Sequence, residues 1–91
     1  MRREAGSTVR VLIRPDCHLC HLALERISEI VAARPSIEVE PVDIESDPQL
    51  FRQNLELIPV VEVDGRAVST LEFDEAAFTR ALGLTPDHPG Q

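Results

Sequence analysis

The sequence predicts a single α/β domain, with a four-stranded mixed sheet covered by helices on both faces. Its 91 residues suit one hydrophobic core. A strand-like apolar run is followed by a stretch of helical periodicity, and two later short strands are separated by a tight-turn dipeptide. These patterns give the element order β-α-β-α-β-β-α.

The first strand is predicted over residues 8–14, after a disordered N-terminal end at residues 1–7. Its side chains are mostly apolar or β-branched, as in strands that are buried on both faces. From Cys17 to about Arg34 the apolar residues recur at helical spacing, and Pro35 then ends the helix. The predicted buried stripe of this helix consists of Leu19, Leu22, Ala23, Ile27, Ile30 and Val31.

Three further strands are predicted over residues 37–40 (continuing through Val42 and Ile44), 60–63 and 66–69. The second strand follows the first helix, so the first two strands should be parallel with a right-handed crossover. Pro41 lacks an N–H group and therefore marks an interruption or a sheet edge. Asp64-Gly65 is a strong signal for a two-residue turn, so the third and fourth strands should form an antiparallel hairpin.

Capping signals mark the two remaining helices. Asp47 followed by Pro48 predicts an N-cap and a first helical residue, with a short helix continuing to Asn54. Asp74 is placed to cap the last helix, and Gly83 is placed to end it in a left-handed conformation. The chain beyond, at residues 84–91, is predicted to be a disordered tail.

Composition restricts the possible partners. Sixteen acidic and nine basic residues give a net charge of −7, which argues against binding to nucleic acid or to an anionic membrane. The chain has neither a run of about 18 apolar residues, as a membrane span needs, nor the apolar stretch of a signal peptide. We therefore expect a cytoplasmic monomer in a reducing compartment.

The two cysteines, Cys17 and Cys20, require a chemical explanation. A disulfide between residues only three apart closes a very small loop and stabilises little. The pair lies where the first strand meets the first helix, and a helix N-terminus lowers the pKa of a thiol there. The alternatives are inert thiols or a zinc site with His21, although structural zinc sites normally take ligands from two separated segments.

Three segments carry a family resemblance, and together they span about residues 8–83. They are Cys17-His18-Leu19-Cys20, the stretch from Val42-Asp43-Ile44 to Asp47-Pro48, and Ile58-Pro59-Val60 followed by Val63-Asp64-Gly65-Arg66. In these segments the chain resembles a small glutaredoxin-like protein of the thioredoxin fold.

The resemblance implies a role for each of five residues. Cys17 would be the nucleophile and Cys20 the resolving cysteine. Pro59 would be a cis-proline that faces them, with the Ile58 backbone pairing with the substrate. Arg14, three positions before the nucleophile, would help to hold the carboxylate of glutathione. The implied activity is that of a thiol-disulfide oxidoreductase in cell redox homeostasis.

Several residues depart from the family pattern. The residues between the cysteines are His18 and Leu19 in place of Pro-Tyr, and a protonated His18 would stabilise the thiolate. The Gly-Gly turn of glutathione-using members is absent, and Asp16 and Glu72 add negative charge. We therefore expect glutathione, a possible co-substrate, to bind weakly or not at all.

The expected partners are protein or small-molecule disulfides, together with a reductase or glutathione as electron donor. No metal or organic cofactor is expected. The alternatives are a non-catalytic binding or zinc-binding module of the same fold, and carriage of an iron–sulfur cluster by a dimer, which favours a single active-site cysteine and a complete glutathione site.

Overall fold

The computed structural model describes residues 6–84, and its elements follow the predicted order. They are β1 (Ser7–Ile13), α1 (His18–Val31), β2 (Ile37–Asp43), a 3₁₀ helix (Ile44–Ser46), α2 (Pro48–Asn54), β3 (Val60–Val63), β4 (Arg66–Ser69) and α3 (Glu75–Leu82). The disorder predicted for residues 1–5 and 85–91 concerns positions outside the described part of the chain.

The four strands form one mixed sheet in the order β2-β1-β3-β4. β1 pairs in parallel with β2, where Leu12 lies opposite Val42, and antiparallel with β3, where Leu12 lies opposite Val60. β4 returns antiparallel to β3 and brings Ser69 opposite Val61. The C-terminal ends of β1, β2 and β4 therefore lie beside the N-terminal end of β3. We call this boundary of the sheet, which runs across the strand ends and not along an outer strand, the cysteine edge.

Apolar side chains pack on both faces of this sheet, as predicted. One buried cluster joins the sheet to α1 and α3, and it comprises Val9, Val11, Ile27, Val61, Val63, Phe78 and Leu82. A smaller cluster lies under α2, with Leu12, Ile44 and Val60 at its centre and Leu50, Phe51 and Ile58 packed against them. Helices on both faces thus shield the buried strands from water.

Three strand boundaries differ by one residue from those predicted. β1 begins at Ser7, which is nearly buried, and ends at Ile13, so it lies one residue earlier than the predicted strand at both ends. Of the two alternatives for Pro41, the sheet edge is confirmed: β2 runs without interruption through Pro41 as an edge strand, whose outer side needs no hydrogen-bond donor. Ile44 does not continue that strand; it is buried as the first residue of the 3₁₀ helix.

α1 is shorter than predicted, and Leu84, directly after Gly83, belongs to the packed domain. The helix ends at Val31, and its C-cap Ala32 still has helical dihedrals. Arg34 does not extend the helix, because a residue that precedes a proline disfavours the helical conformation. Arg34 instead donates its backbone N–H to the Val31 carbonyl in a turn, at 2.9 Å. Leu84, assigned to the tail by sequence, packs against the larger core cluster.

The buried stripe of α1 was predicted partly wrongly. Leu19 and Leu22 are 46% and 47% exposed, whereas Cys20, Ala23 and Ile27 are buried. An α-helix turns by about 100° per residue, so a stripe centred on Cys20, Ala23 and Ile27 places Leu22 near the opposite face. The apolar residues of α1 thus occupy more of its circumference than the core covers.

The predicted turn and caps are confirmed. Asp64 and Gly65 both have positive φ, of 50° and 89°, as a type I′ hairpin turn requires. The Asp47 carboxylate accepts a hydrogen bond from the Gln49 N–H at 2.9 Å, at the start of α2. Gly83 ends α3 in the left-handed conformation, with φ of 75°.

An ion pair joins the outer surfaces of α1 and α3. Two guanidinium nitrogens of Arg26 donate to the two carboxylate oxygens of Glu75, each at 2.8 Å. These hydrogen bonds hold the pKa of Glu75 below its ordinary value. Both side chains are about half exposed, so the pair contributes little to stability.

Replacement of Asp74 by alanine tests the cap of α3. The Asp74 carboxylate accepts a hydrogen bond from the Ala77 N–H at 3.0 Å, and its loss leaves that donor without a partner in the protein. We expect Asp74→Ala to lower the free energy of unfolding by about 1 kcal/mol in urea denaturation. Glu72→Ala, at an exposed position in the preceding loop, is the control; an equal loss in both variants would contradict the capping role.

Candidate functional site

Cys17 is the N-cap residue of α1, a position that Ser, Thr, Asp or Asn usually occupies. Its backbone is extended, and its Sγ accepts a hydrogen bond from the Cys20 N–H at 3.1 Å. Its own N–H donates to the Arg14 carbonyl at 3.3 Å, which closes the turn after β1. The sulfur therefore lies at the positive end of the helix dipole, where a thiolate is favoured.

The two cysteines are joined in a disulfide and differ in exposure. Their Cα atoms are 5.2 Å apart, within the usual range for a disulfide. Cys20 is fully buried, whereas Cys17 is only partly buried. An attacking group from solvent can therefore approach Cys17 but not Cys20.

The Ile58–Pro59 peptide bond is cis, as predicted, and lies directly before β3. Pro59 is buried, and Ile58 packs against the smaller core cluster. Because Val60 pairs with Leu12 near the end of β1, both residues lie at the cysteine edge. The adjacent Leu57 carbonyl accepts a hydrogen bond from the Leu71 N–H at 2.8 Å, which brings the loop after β4 to the same edge.

Arg14 and His18 have different surroundings. Arg14 Nε and Nη2 lie 2.9 and 2.8 Å from Glu45 Oε2. The Arg14 guanidinium carbon also lies 5.4 Å from the centre of the Phe51 ring, within cation–π range. The guanidinium is thus already paired, whereas His18 is exposed at the first position of α1.

Sequence reasoning missed Glu45 and Leu71. Glu45 is 31 positions from Arg14, and no local pattern links the two residues. Leu71 has a φ of 62°, a left-handed conformation that is costly for a residue other than glycine. No glycine in the sequence marked this turn; the one available signal was its position after β4, where the family pattern has Gly-Gly.

The zinc alternative finds no site in the described chain. Within residues 6–84, no three His, Cys, Asp or Glu side chains come together as potential metal ligands. His21, its proposed third ligand, is exposed on α1.

Within residues 6–84, no helix has the length and apolar character to cross a bilayer.

A mixed four-stranded sheet with flanking helices and a Cys-x-x-Cys disulfide at the start of α1 defines a thioredoxin-fold protein. The solution structure of protein Ne2328 from Nitrosomonas europaea is similar, with a TM-score of 0.73, 18% identity, and coverage of 88% of this chain and 93% of that one. A model of the glutaredoxin-like domain (DUF836) family matches residues 8–83. The chain belongs to that family.

Thioredoxins share the fold at low sequence identity. Oxidized mitochondrial thioredoxin 3 from Saccharomyces cerevisiae has a TM-score of 0.63 and 13% identity, with 89% of this chain and 80% of that one covered. Reduced thioredoxin 2 from Pseudomonas aeruginosa PAO1 has a TM-score of 0.60 and 24% identity, with 87% and 82% covered. No curated protein sequence matches the chain.

Replacement of Leu71 by glycine tests the strained backbone beside the site. Leu71 is 48% exposed, so relief of its left-handed conformation should outweigh the packing that is lost. We expect Leu71→Gly to raise the free energy of unfolding by about 0.5–1 kcal/mol in urea denaturation.

Thr70→Gly is the matched control, because Thr70 is the exposed neighbour and has no positive φ. Glycine there should destabilise the protein by about 0.5–1 kcal/mol through backbone entropy alone. Equal destabilisation by both variants would show that Leu71 is not strained.

Proposed function

We propose that this protein is a thiol-disulfide oxidoreductase in which Cys17 attacks the substrate disulfide and Cys20 resolves the intermediate. The observation that carries the proposal is the position of Cys17: its sulfur caps α1, accepts the Cys20 N–H, and is the more accessible of the two. The family match supports the same class of chemistry, and the structural neighbours support the fold on which it takes place.

The reaction has two exchange steps. In the first, the Cys17 thiolate attacks one sulfur of the substrate; a Cys17–substrate disulfide forms, and the other substrate sulfur leaves as a thiolate. In the second, Cys20 loses its proton and attacks Cys17 Sγ, which releases the remaining substrate thiolate and forms the Cys17–Cys20 disulfide. Two electrons pass to the substrate, and an external thiol or reductase must return them.

The residues at the cysteine edge would divide the remaining tasks. The positive end of α1 favours the attacking thiolate. The Ile58 backbone, beside the buried Pro59, would pair with an extended substrate in the manner of an added β-strand. Leu57 and Leu71, 40% and 48% exposed, could contact apolar side chains around a protein disulfide.

Alkylation of the reduced protein tests the unequal roles of the two cysteines. At about pH 6, neutral iodoacetamide should label Cys17 well before Cys20, because only Cys17 combines access with a favoured thiolate. Tandem mass spectrometry of the peptide that holds both cysteines measures the two rates. Faster labelling of Cys20 would reverse the proposed assignment.

Single serine variants test the two-step order. Cys20→Ser should accumulate a mixed disulfide on Cys17 when the reduced protein meets a disulfide substrate, because the second step is blocked. Cys17→Ser should show no exchange, although serine keeps a side-chain oxygen at the N-cap. Intact-protein mass spectrometry separates these outcomes; full exchange by Cys17→Ser would refute the proposed nucleophile.

A further inference from the structure

The charges at the cysteine edge have an arrangement that bears on which disulfides react fastest. Arg14 follows β1 directly, and its carbonyl accepts the Cys17 N–H. Glu45 follows β2, whose C-terminal end lies beside that of β1 because the two strands are parallel. Cys17, Arg14 and Glu45 therefore share one edge of the sheet.

Glu45 cancels the positive charge of Arg14. One carboxylate oxygen of Glu45 accepts a hydrogen bond from Arg14 Nε at 2.9 Å and forms an ion pair with Nη2 at 2.8 Å. The Phe51 ring lies against the same guanidinium and restricts its movement further. The side chains of Arg14 and Glu45 remain 33% and 42% exposed, so an incoming substrate and dissolved salt both have access to the ion pair.

Three further carboxylates lie along this edge beside the paired Arg14, and the titratable base next to Cys17 in the chain is the exposed His18. Asp16 is exposed directly before Cys17, and Glu72 is exposed in the loop that contacts Leu57 through Leu71. Asp43 ends β2 beside Glu45. These carboxylates act in the same direction as the net charge of −7.

We propose that Glu45 is a specificity-determining residue, which selects against disulfides that carry a carboxylate near the reacting sulfur and in favour of neutral or cationic ones. It does so by neutralising Arg14, the cation three residues before Cys17 in the chain, so that an anionic substrate meets net negative charge. This inference rests on the proposed oxidoreductase function, since it concerns the substrate of the same Cys17 thiolate.

Three small disulfides of different charge provide the test: cationic cystamine, neutral hydroxyethyl disulfide and anionic dithiodipropionate. Reduced protein is mixed with each at low ionic strength, and formation of the Cys17–Cys20 disulfide is followed by acid quench, alkylation and intact-protein mass spectrometry. Each substrate is compared across protein variants, so differences in the leaving thiol cancel.

Glu45→Gln removes one negative charge but keeps the size of the side chain and a hydrogen-bond acceptor for Arg14. We expect its second-order rate constant to rise about threefold with dithiodipropionate and to fall about threefold with cystamine. The rate with hydroxyethyl disulfide should stay within about 1.5-fold of the original protein. At about 1 M NaCl, where charges are screened over a few ångströms, the differences should disappear.

Glu75→Gln is the matched control. It breaks an exposed Arg–Glu pair with two hydrogen bonds and makes the same change in net charge, but its partner Arg26 lies nine residues along the chain from Cys17. Its rates with all three disulfides should stay within about 1.5-fold of the original protein. Arg14→Gln, which leaves Glu45 unpaired, should do the reverse of Glu45→Gln: it should lower the rate with dithiodipropionate and raise the rate with cystamine.

Each outcome either supports or overturns the inference. Equal profiles for Glu45→Gln and Glu75→Gln would overturn it, as would a parallel change with all three disulfides or a difference that persists at high salt. Failure of the neutral disulfide to oxidise the original protein would instead refute the proposed function itself. If hydroxyethyl disulfide oxidises the original protein but Glu45→Gln leaves the rates with the charged disulfides unchanged, only the role of Glu45 is refuted.

Discussion

β1 is hydrogen-bonded along both of its sides, and this double pairing determines where the parts of the site meet. Its parallel partner β2 brings Glu45 to the same end of the sheet as Arg14 and Cys17. Its antiparallel partner β3 brings the cis-proline segment there from the opposite chain direction. The buried Val9 and Val11 hold β1 against α1 and α3, so the core fixes the start of α1 relative to the strand ends.

The helix start then makes two chemically identical side chains different. Cys17 lies before the first helical residue, where backbone N–H groups are unpaired and water has access. Cys20 lies within the first turn, and its side chain is fully buried, on the same side of α1 as the buried Ala23 and Ile27. A three-residue spacing thus gives one sulfur suited to attack from outside and a second that can react only with the first.

Local signals predicted the fold well. Asp74 and Gly83 cap α3, and Asp64-Gly65 forms the turn, as their side-chain and backbone chemistry alone requires. The Cys-x-x-Cys pair was recognisable for the same reason, because its spacing and its place after a strand are local properties.

Interactions between distant segments could not be predicted in this way. The pairing of Arg14 with Glu45 depends on the parallel register of two strands, which no local pattern specifies. Leu19 and Leu22 satisfied a helical spacing that tertiary packing did not use, because the sheet covers a different side of α1. The left-handed Leu71 had no glycine to signal it.

The hydrogen bond from the Cys20 amide to the Cys17 sulfur has a spectroscopic consequence. The Cys20 nitrogen lies 3.1 Å from the Cys17 sulfur, the atom whose bonding and charge change between thiolate, mixed disulfide and intramolecular disulfide. The proton and nitrogen resonances of this amide should therefore differ among the three forms, because the acceptor strength of the sulfur differs. One backbone amide thus serves as an internal NMR reporter of the redox state of the cysteine pair.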